Sequence, residues 1–161
     1  MELEYKTLFI SKSEIEQPER RALLDELMAL SREWADEGCC PSYGANDAEE
    51  FLDKPVYAAF SDGIIVAYAM GHEETLERDH SYGKTGETAF ELDELFVTRS
   101  FRKQGVGRVL CEYLEEELSD KVALIELIAA TNRYEELLRF YTRELGMTFN
   151  YAFLVKRIAA K

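Results

Sequence analysis

The stretch Leu95-Phe96-Val97-Thr98-Arg99-Ser100-Phe101-Arg102-Lys103-Gln104-Gly105-Val106-Gly107-Arg108-Val109-Leu110 decides how the rest of the chain is read. It begins as an apolar strand, passes through a basic connector and two closely spaced glycines, and enters a helix running from about Gly105 to Leu118. Val106, Val109, Leu110, Tyr113, Leu114 and Leu118 share one face of that helix, with Arg108, Glu112, Glu115 and Glu116 outside. A helix N-terminus carries unpaired backbone N–H groups and the positive end of a dipole, so it attracts an anion such as a phosphate. Glycines let the ligand approach the backbone and permit dihedrals closed to other residues. Arg102 and Lys103 add cations where phosphate oxygens would lie. Other phosphate loops fit worse. A P-loop needs Gly-Lys-Ser/Thr after four intervening residues, and none is present. A dinucleotide fingerprint needs a third glycine where Leu110 stands, and its loop follows the strand almost at once, whereas residues 98–104 intervene here.

Charge reverses sharply around this loop. Between Leu95 and Cys111 there is no Asp or Glu, while Arg99, Arg102, Lys103 and Arg108 fall there. From Gly71 to Glu94, eight acids (Glu73, Glu74, Glu77, Asp79, Glu87, Glu91, Asp93 and Glu94) face two bases, Arg78 and Lys84. One stretch suits an anion and its neighbour a cation. The formal net charge of −13 argues against nucleic acid or an anionic membrane as a partner. It suits a cationic partner, and it also suits plain solubility.

The 161 residues fit one domain, 1–161, with globular proportions of 47% hydrophobic and 32% charged residues. No apolar run approaches the roughly 18 residues of a membrane span, and the N-terminus lacks the basic start and apolar run of a signal peptide. Three cysteines, two of them adjacent (Cys39 and Cys40), give no disulfide framework, so a reducing cytoplasm is expected. Strand-like Leu8-Phe9-Ile10 precedes a helix from Pro18, with Leu23, Leu24, Leu27, Leu30 and Trp34 at helical spacing. The run 38–44 breaks that helix, and Asn46 followed by Glu49 predicts a capped short helix. Strands over 56–60 and 64–70 meet at Ser61-Asp62-Gly63, a hairpin signal. A polar loop is expected over 71–87 and a strand over 89–97, then, after the glycine loop and its helix, a β-rich run over 122–129. A helix over 133–145 ending at Gly146 and a last strand over 148–155 complete a mixed α/β fold.

Val97 to Leu110 resembles the acetyl-CoA signature of the GNAT superfamily of N-acetyltransferases, Gln/Arg-x-x-Gly-x-Gly/Ala after a strand and before a helix. Phe140-Tyr141-Thr142-Arg143-Glu144-Leu145-Gly146-Met147 is similar to the family's Phe-Tyr-x-x-x-Gly-Phe stretch, with one extra residue before the glycine. Spacing and element order agree over roughly residues 52–153. The resemblance implies a mostly antiparallel central sheet flanked by helices, in which two parallel strands splay apart and the pantetheine arm of the cofactor lies between them. It implies that the strand Leu95-Phe96-Val97 pairs with that arm through the backbone of Leu95 and Val97. It also implies that the amides of Gln104, Gly105, Val106 and Gly107, with Arg102, Lys103 and Arg108, hold the pyrophosphate. Family members often place an Asn two turns before the tyrosine. Tyr134 stands there, and the nearest Asn, Asn132, becomes a shifted cofactor contact.

Moving an acetyl group from a thioester to an amine needs a neutral amine, a stabilised oxyanion and a proton for the departing thiolate. A lysine-like amine has a pKa near ~10.4, so a positioned base helps. Backbone N–H groups at the splayed strand would stabilise the oxyanion. In several family members the carboxylate that binds or deprotonates the amine sits one strand length before the loop, a position held here by Glu91. Strand alternation places Glu91 and Asp93 on one face and Glu94 on the other, unless a bulge reverses this. Asp93 and Glu94 are therefore substrate-binding candidates beside a catalytic Glu91. Tyr141 matches the family tyrosine that hydrogen-bonds the cofactor sulfur and donates a proton to the thiolate. Tyr43, in the break between the first helices, is a further substrate contact, and Trp34 belongs to the core. His72 and His80 read as exposed loop residues without metal-ligand spacing, and Cys39 and Cys40 as small buried residues.

These expectations define an enzyme that acetylates a primary amine by direct transfer from acetyl-CoA. Its acceptor is a cation such as a polyamine, an aminoglycoside-like antibiotic or another small amine. Neither metal, membrane nor nucleic acid is expected, and a homodimer is compatible with the sequence. Lysine or N-terminal acetylation of a protein or peptide, a non-catalytic acyl-CoA-binding module, and a nucleotide-binding protein stay open beside it.

Overall fold

A computed structural model of the chain describes residues 2–158. Five strands lie in the sheet in chain order: β1 (Leu3–Phe9), β2 (Pro55–Ser61), β3 (Ile64–Thr75), β4 (Thr88–Val97) and β5 (Leu124–Glu126). Neighbours run antiparallel except β4 and β5, which are parallel. Helix α1 (Pro18–Asp36) covers one face and α2 (Val106–Leu118) the other, and α3 (Tyr134–Arg139) continues directly into a π-helical turn, Phe140–Glu144. This is the mixed, mostly antiparallel sheet flanked by helices that the family resemblance implies. Among the described residues, no helix is long and apolar enough to cross a membrane.

Strand alternation divides the core in two. Leu24, Leu27 and Leu30 of α1 pack with Phe51, Tyr68, Met70 and Phe96 on one face. Leu110, Leu114 and Leu118 of α2 pack with Ala69, Phe90 and Leu92 on the other. Pro18 sits in the first turn of α1, where its missing N–H would have had no partner in any case. Trp34 completes the first core as expected, its ring 4.1 Å from that of Tyr43 and 5.7 Å from that of Phe96, centroid to centroid.

The parallel ladder is short. Ala89, Phe90 and Glu91 pair with Leu124, Ile125 and Glu126, and β4 then runs on for six residues without β5 beside it. The strand predicted over 122–129 therefore shrinks to three residues, because beyond Glu126 its backbone has no ladder partner. The last strand predicted over 148–155 is absent for the same reason. Its residues are irregular, and Phe149, Tyr151, Phe153, Leu154 and Val155 are exposed. Conversely, β3 continues through Thr75 into the predicted polar loop, because His72 to Thr75 find partners in Thr88 to Glu91. The short helix after α1 is a 3-10 turn, Ala48–Phe51, capped by Asp47, whose Oδ1 accepts from the Glu49 N–H at 3.2 Å. Asn46 is occupied elsewhere. The helix predicted over 133–145 opens into the π turn at Phe140, where the Leu145 N–H donates to the Phe140 carbonyl five residues back at 3.2 Å. The extra residue before Gly146 is taken up in that wide turn.

Two carboxylates near the end of α1 hold the connector between β4 and α2. Glu33 accepts from Thr98 Oγ1 at 2.7 Å and from the Arg99 N–H at 3.0 Å. Glu37, with only 2% of its side chain exposed, takes Arg102 on both oxygens, Nη1 donating to Oε2 at 3.0 Å and Nη2 to Oε1. Arg99 lies 3.3 Å and Arg133 3.5 Å from the same carboxylate. Burial pushes the Glu37 carboxyl up, but the hydrogen bonds and charges of Arg102 and Arg99 outweigh it and hold the group below its usual range. A depressed carboxyl pKa adds stability that is present above the unfolded value, about 4.3, and is lost as pH falls through the folded value. Glu37→Gln should therefore cost about 2 kcal/mol in denaturant unfolding near neutral pH, with the difference from wild type shrinking steadily as the buffer is taken below the unfolded value.

Candidate active site

The β3·β4 ladder slips at Met70/Gly71. Met70 pairs with Glu94 and Gly71 with Leu92, so Asp93 is the extra residue of a bulge. Gly71 is needed there, because a Cβ on it would stand 2.0 Å from the Glu91 carbonyl oxygen. Before the bulge, Phe90 and Leu92 point into the α2-side core, which turns Glu91 and Asp93 to the α1 side. After it the phase inverts, and Phe96 packs on the α1 side. Glu94 shares that side, bonded to Tyr68. Simple alternation would have separated Glu94 from the other two carboxylates; the bulge brings all three to one face, at the point where β4 and β5 part.

That face is strongly acidic. His72 lies on strand β3 opposite Glu91, not in a loop, with Nδ1 2.9 Å from Asp93 Oδ2 and Nε2 3.8 Å from Glu91 Oε2. The bond to Asp93 raises the His72 pKa against a smaller opposing effect of burial, with the charges of Asp93, Glu91 and Glu74 adding to the rise. Across the ladder from Glu91, the Glu126 carboxyl is pushed up by burial, and further by its hydrogen bond to Glu74 and the charges of Glu74 and Glu91. His80, by contrast, does sit in a loop and stacks on Tyr82 at 5.0 Å between centroids.

Glu94 is enclosed by donors. Tyr68 gives its hydroxyl proton to Oε2 at 2.6 Å, Tyr43 approaches the same oxygen at 3.3 Å, and Asn46 Nδ2 lies 2.8 and 3.0 Å from the two oxygens. The Tyr43 hydroxyl also meets Ser31 Oγ at 2.6 Å, which accepts the Asn46 N–H at 2.8 Å. Burial, reinforced by the charge of Glu94, raises both tyrosine pKa values and keeps both groups protonated. Tyr43 and Glu94 thus meet in a network that ties the loop after α1 to β4. Ser31, Asn46 and Tyr68 escaped the sequence reading.

At the other end of β4 stands the glycine loop. Lys103 (φ 58°) and Gly105 (φ 82°) both adopt the left-handed conformation, and Gly105 caps α2. The first intrahelical bond there runs from the Val109 N–H to the Gly105 carbonyl at 3.0 Å, so the amides of 106–108 have no partner within the helix. A Cβ on Gly107 would lie 3.4 Å from Val97 Cγ2 and 3.5 Å from Phe140 Cζ, ordinary contacts. Packing within the protein therefore does not demand glycine at 107. Arg108 lies half-exposed on the first turn, 3.9 Å from Glu112. Gln104 turns its side chain back to the Ser100 carbonyl at 2.7 Å, which leaves only its backbone for a ligand. Arg102 departs from expectation: its guanidinium grips Glu37, donates from Nε to the Val97 carbonyl at 2.7 Å and lies over the Phe96 ring. It shapes the loop, and it occupies one backbone group of the Leu95–Val97 edge. Phe96 pairs with Tyr68 on β3 and buries its side chain, so Leu95 and Val97 make up the open edge.

Tyr141, 8% exposed, borders a groove of about 250 Å³ on the α2 side with Leu92, Cys111, Ile125 and Met147. Burial chiefly raises its pKa, with a contribution from Cys111, whose own thiol burial pushes up to about 12. Leu92 and Ile125 line the groove, so it lies on the α2 side of the β4–β5 seam, opposite the face that carries Glu91. Asn132 is exposed, and its N–H donates to the Cys39 carbonyl at 2.8 Å beside a 3.0 Å bond from Thr131 Oγ1. The loop after β5 is thereby pinned to the end of α1. Cys39 and Cys40 are half-buried and unbridged. The carboxylates Glu33 and Glu37 were also missed, although an i, i+4 acidic pair on α1 and a basic connector downstream were both visible.

The sequence model of the acetyltransferase (GNAT) family matches residues 15–147. No curated protein matches the sequence. Among solved structures, the fold is similar to an aminoglycoside acetyltransferase from an uncultured soil metagenomic sample (TM-score 0.68, 19% identity, covering 99% of this chain and 100% of that one). It is also similar to a ribosomal-protein-alanine N-acetyltransferase from Brucella melitensis biovar Abortus 2308 (TM-score 0.67, 16% identity, 98% and 100%). A third is an aminoglycoside N-acetyltransferase, AAC(6')-Iy, in complex with CoA (TM-score 0.64, 16% identity, 99% and 96%). With the glycine loop at the start of α2 and the parting of β4 from β5, the family match makes this chain a member of the acetyltransferase (GNAT) family, dependent on acetyl-CoA.

Proposed function

We propose that the chain acetylates a primary amine of a small cationic acceptor, with Glu91 as the base and Tyr141 as the acid. The observation that carries this reading is the bulge in β4, which turns Glu91, Asp93 and Glu94 to one face where the two parallel strands separate. When bound, acetyl-CoA supplies the thioester. The amides at the start of α2, with Lys103 and Arg108, suit its pyrophosphate, and the free edge of β4 around Leu95 suits its extended arm. Asp93 and Glu94 draw the ammonium group in, and Tyr43 bounds the acceptor beside Glu94. Glu91 takes the ammonium proton, directly or through one water. Tyr141, kept protonated by burial, delivers a proton to the departing thiolate from the other face. The unbridged cysteines fit a reducing cytoplasm.

Replacing Glu91 by Gln should lower kcat/KM about 10²–10⁴-fold while acetyl-CoA still raises the melting temperature. Tyr141→Phe should lower kcat toward the small end of that range with little change in KM for the amine. Wild-type activity in either variant removes that residue from the mechanism. A polycationic acceptor should bind more weakly as salt is added, because exposed charges are screened beyond roughly 10 Å at 0.1 M ionic strength; a KM indifferent to salt would argue for a neutral or singly charged amine. The deciding assay follows loss of the thioester across a panel of polyamines, aminoglycosides and peptides with free N-termini or lysines. Turnover with the small polycations alone is the expected result. Turnover with peptides alone would reassign the acceptor, and CoA binding without turnover would leave a binding module.

A further inference from the structure

The acidic face also gathers three donor groups of the kind that bind transition metals. His72 and Glu74 stand two apart on β3, so the pleat turns both to the same side. The β3·β4 register sets Glu91 directly opposite His72. One atom from each residue, a ring nitrogen and two carboxylate oxygens, lies within 4.8 Å of the other two. Zinc ligands at about 2.0–2.2 Å in tetrahedral array are only a little closer together, a gap that side-chain rotation closes without moving either strand.

The imidazole is already oriented for the task. The Asp93 carboxylate accepts a hydrogen bond, so the Nδ1 that faces it at 2.9 Å carries the proton. That leaves the lone pair of the neutral ring on Nε2, which faces Glu91 at 3.8 Å. A carboxylate behind a histidine, fixing its tautomer and ring plane, is the usual outer partner of a metal-bound imidazole. β3 pairs with β4 through all three positions, and β4 is held by β5 as well at Glu91, so the triad rests on laddered backbone. His72 is about half exposed, which leaves room for water to complete the coordination.

We propose that His72 Nε2, Glu74 and Glu91 form a binding site for a divalent transition-metal ion of the zinc type, and that occupancy reversibly blocks acetyl transfer by taking the Glu91 carboxylate. One imidazole with two carboxylates suits zinc, nickel, copper or cobalt, whereas magnesium and calcium favour oxygen ligands alone. The binding half stands on geometry alone; the blocking half rests on the reading of Glu91 as the base.

The test is calorimetric titration of zinc chloride into full-length, chelator-treated protein carrying Cys39→Ser and Cys40→Ser, so that thiols do not contribute. One equivalent should bind, His72→Ala and Glu74→Gln should each weaken binding at least tenfold, and magnesium should give no heat. Asp93→Asn should weaken it roughly tenfold through the ring orientation. Both ligand substitutions lie at exposed strand positions, and circular dichroism of each variant verifies its fold. No binding, or binding equally strong in His72→Ala and Glu74→Gln (an adventitious ion only), overturns the site. In parallel, zinc should slow thioester loss, a chelator should restore it, and the zinc concentration for half-inhibition, each variant measured against its own metal-free rate, should rise with the loss of binding. Triad-dependent binding without any slowing overturns the blocking half and removes Glu91 from the reaction, with the metal site intact. Should no amine be acetylated at all, the calorimetric arm still decides the site.

Discussion

One slipped residue in β4 governs the geometry of the whole site. A regular antiparallel pair would keep its alternation from Thr88 to Val97, and Glu94 would then enter the α2-side core among Leu92, Leu110 and Leu114. The bulge at Asp93 avoids that burial and inverts the phase. Phe96 can then seal the α1 side while Phe90 and Leu92 seal the other. Gly71 makes the slip tolerable, because the bulged backbone passes too close for any Cβ. The cost is an interrupted ladder, and the return is three carboxylates on one wall.

Electrostatic order follows from the same frame. On the acidic wall, Glu94 is satisfied by Tyr68, Tyr43 and Asn46, whereas Glu126 is set against Glu74 and Glu91, and His72 faces Asp93 and Glu91. At the other end of β4 the sign is reversed, yet part of the positive charge is internal. Arg102 pairs with the shielded Glu37 carboxylate, which holds the connector in shape and leaves Lys103, Arg108 and the helix amides as outward-facing positive groups. A buried ion pair of this kind is weak evidence of net stability but defines a geometry sharply.

Local signals were legible in the sequence and long-range ones were not. The amphipathic stripe of α2, the Ser61-Asp62-Gly63 turn and the two-glycine loop rest on contacts a few residues apart, and each lies where periodicity put it. The bulge leaves no mark in composition, so the side chosen by Glu94 depended on a register that only β3 sets. Arg102 looked like a phosphate ligand because its partner, Glu37, sits 65 residues earlier. The run 148–155 carries a strand's composition, but a strand also needs a neighbour with open backbone groups, and the three residues of β5 offer no ladder to it.

The wide turn at Phe140–Glu144 has a consequence for how the chain tolerates changes in length. In an ordinary α-helix one surplus residue rotates everything beyond it by about 100°. Here the surplus swells a single turn, and Tyr141, whose carbonyl still receives the Met147 N–H at 2.9 Å, keeps its place over the groove. The orientation of the hydroxyl is thereby uncoupled from the number of residues that follow it. An insertion between Tyr141 and Gly146 that would derail a regular helix thus becomes a local swelling.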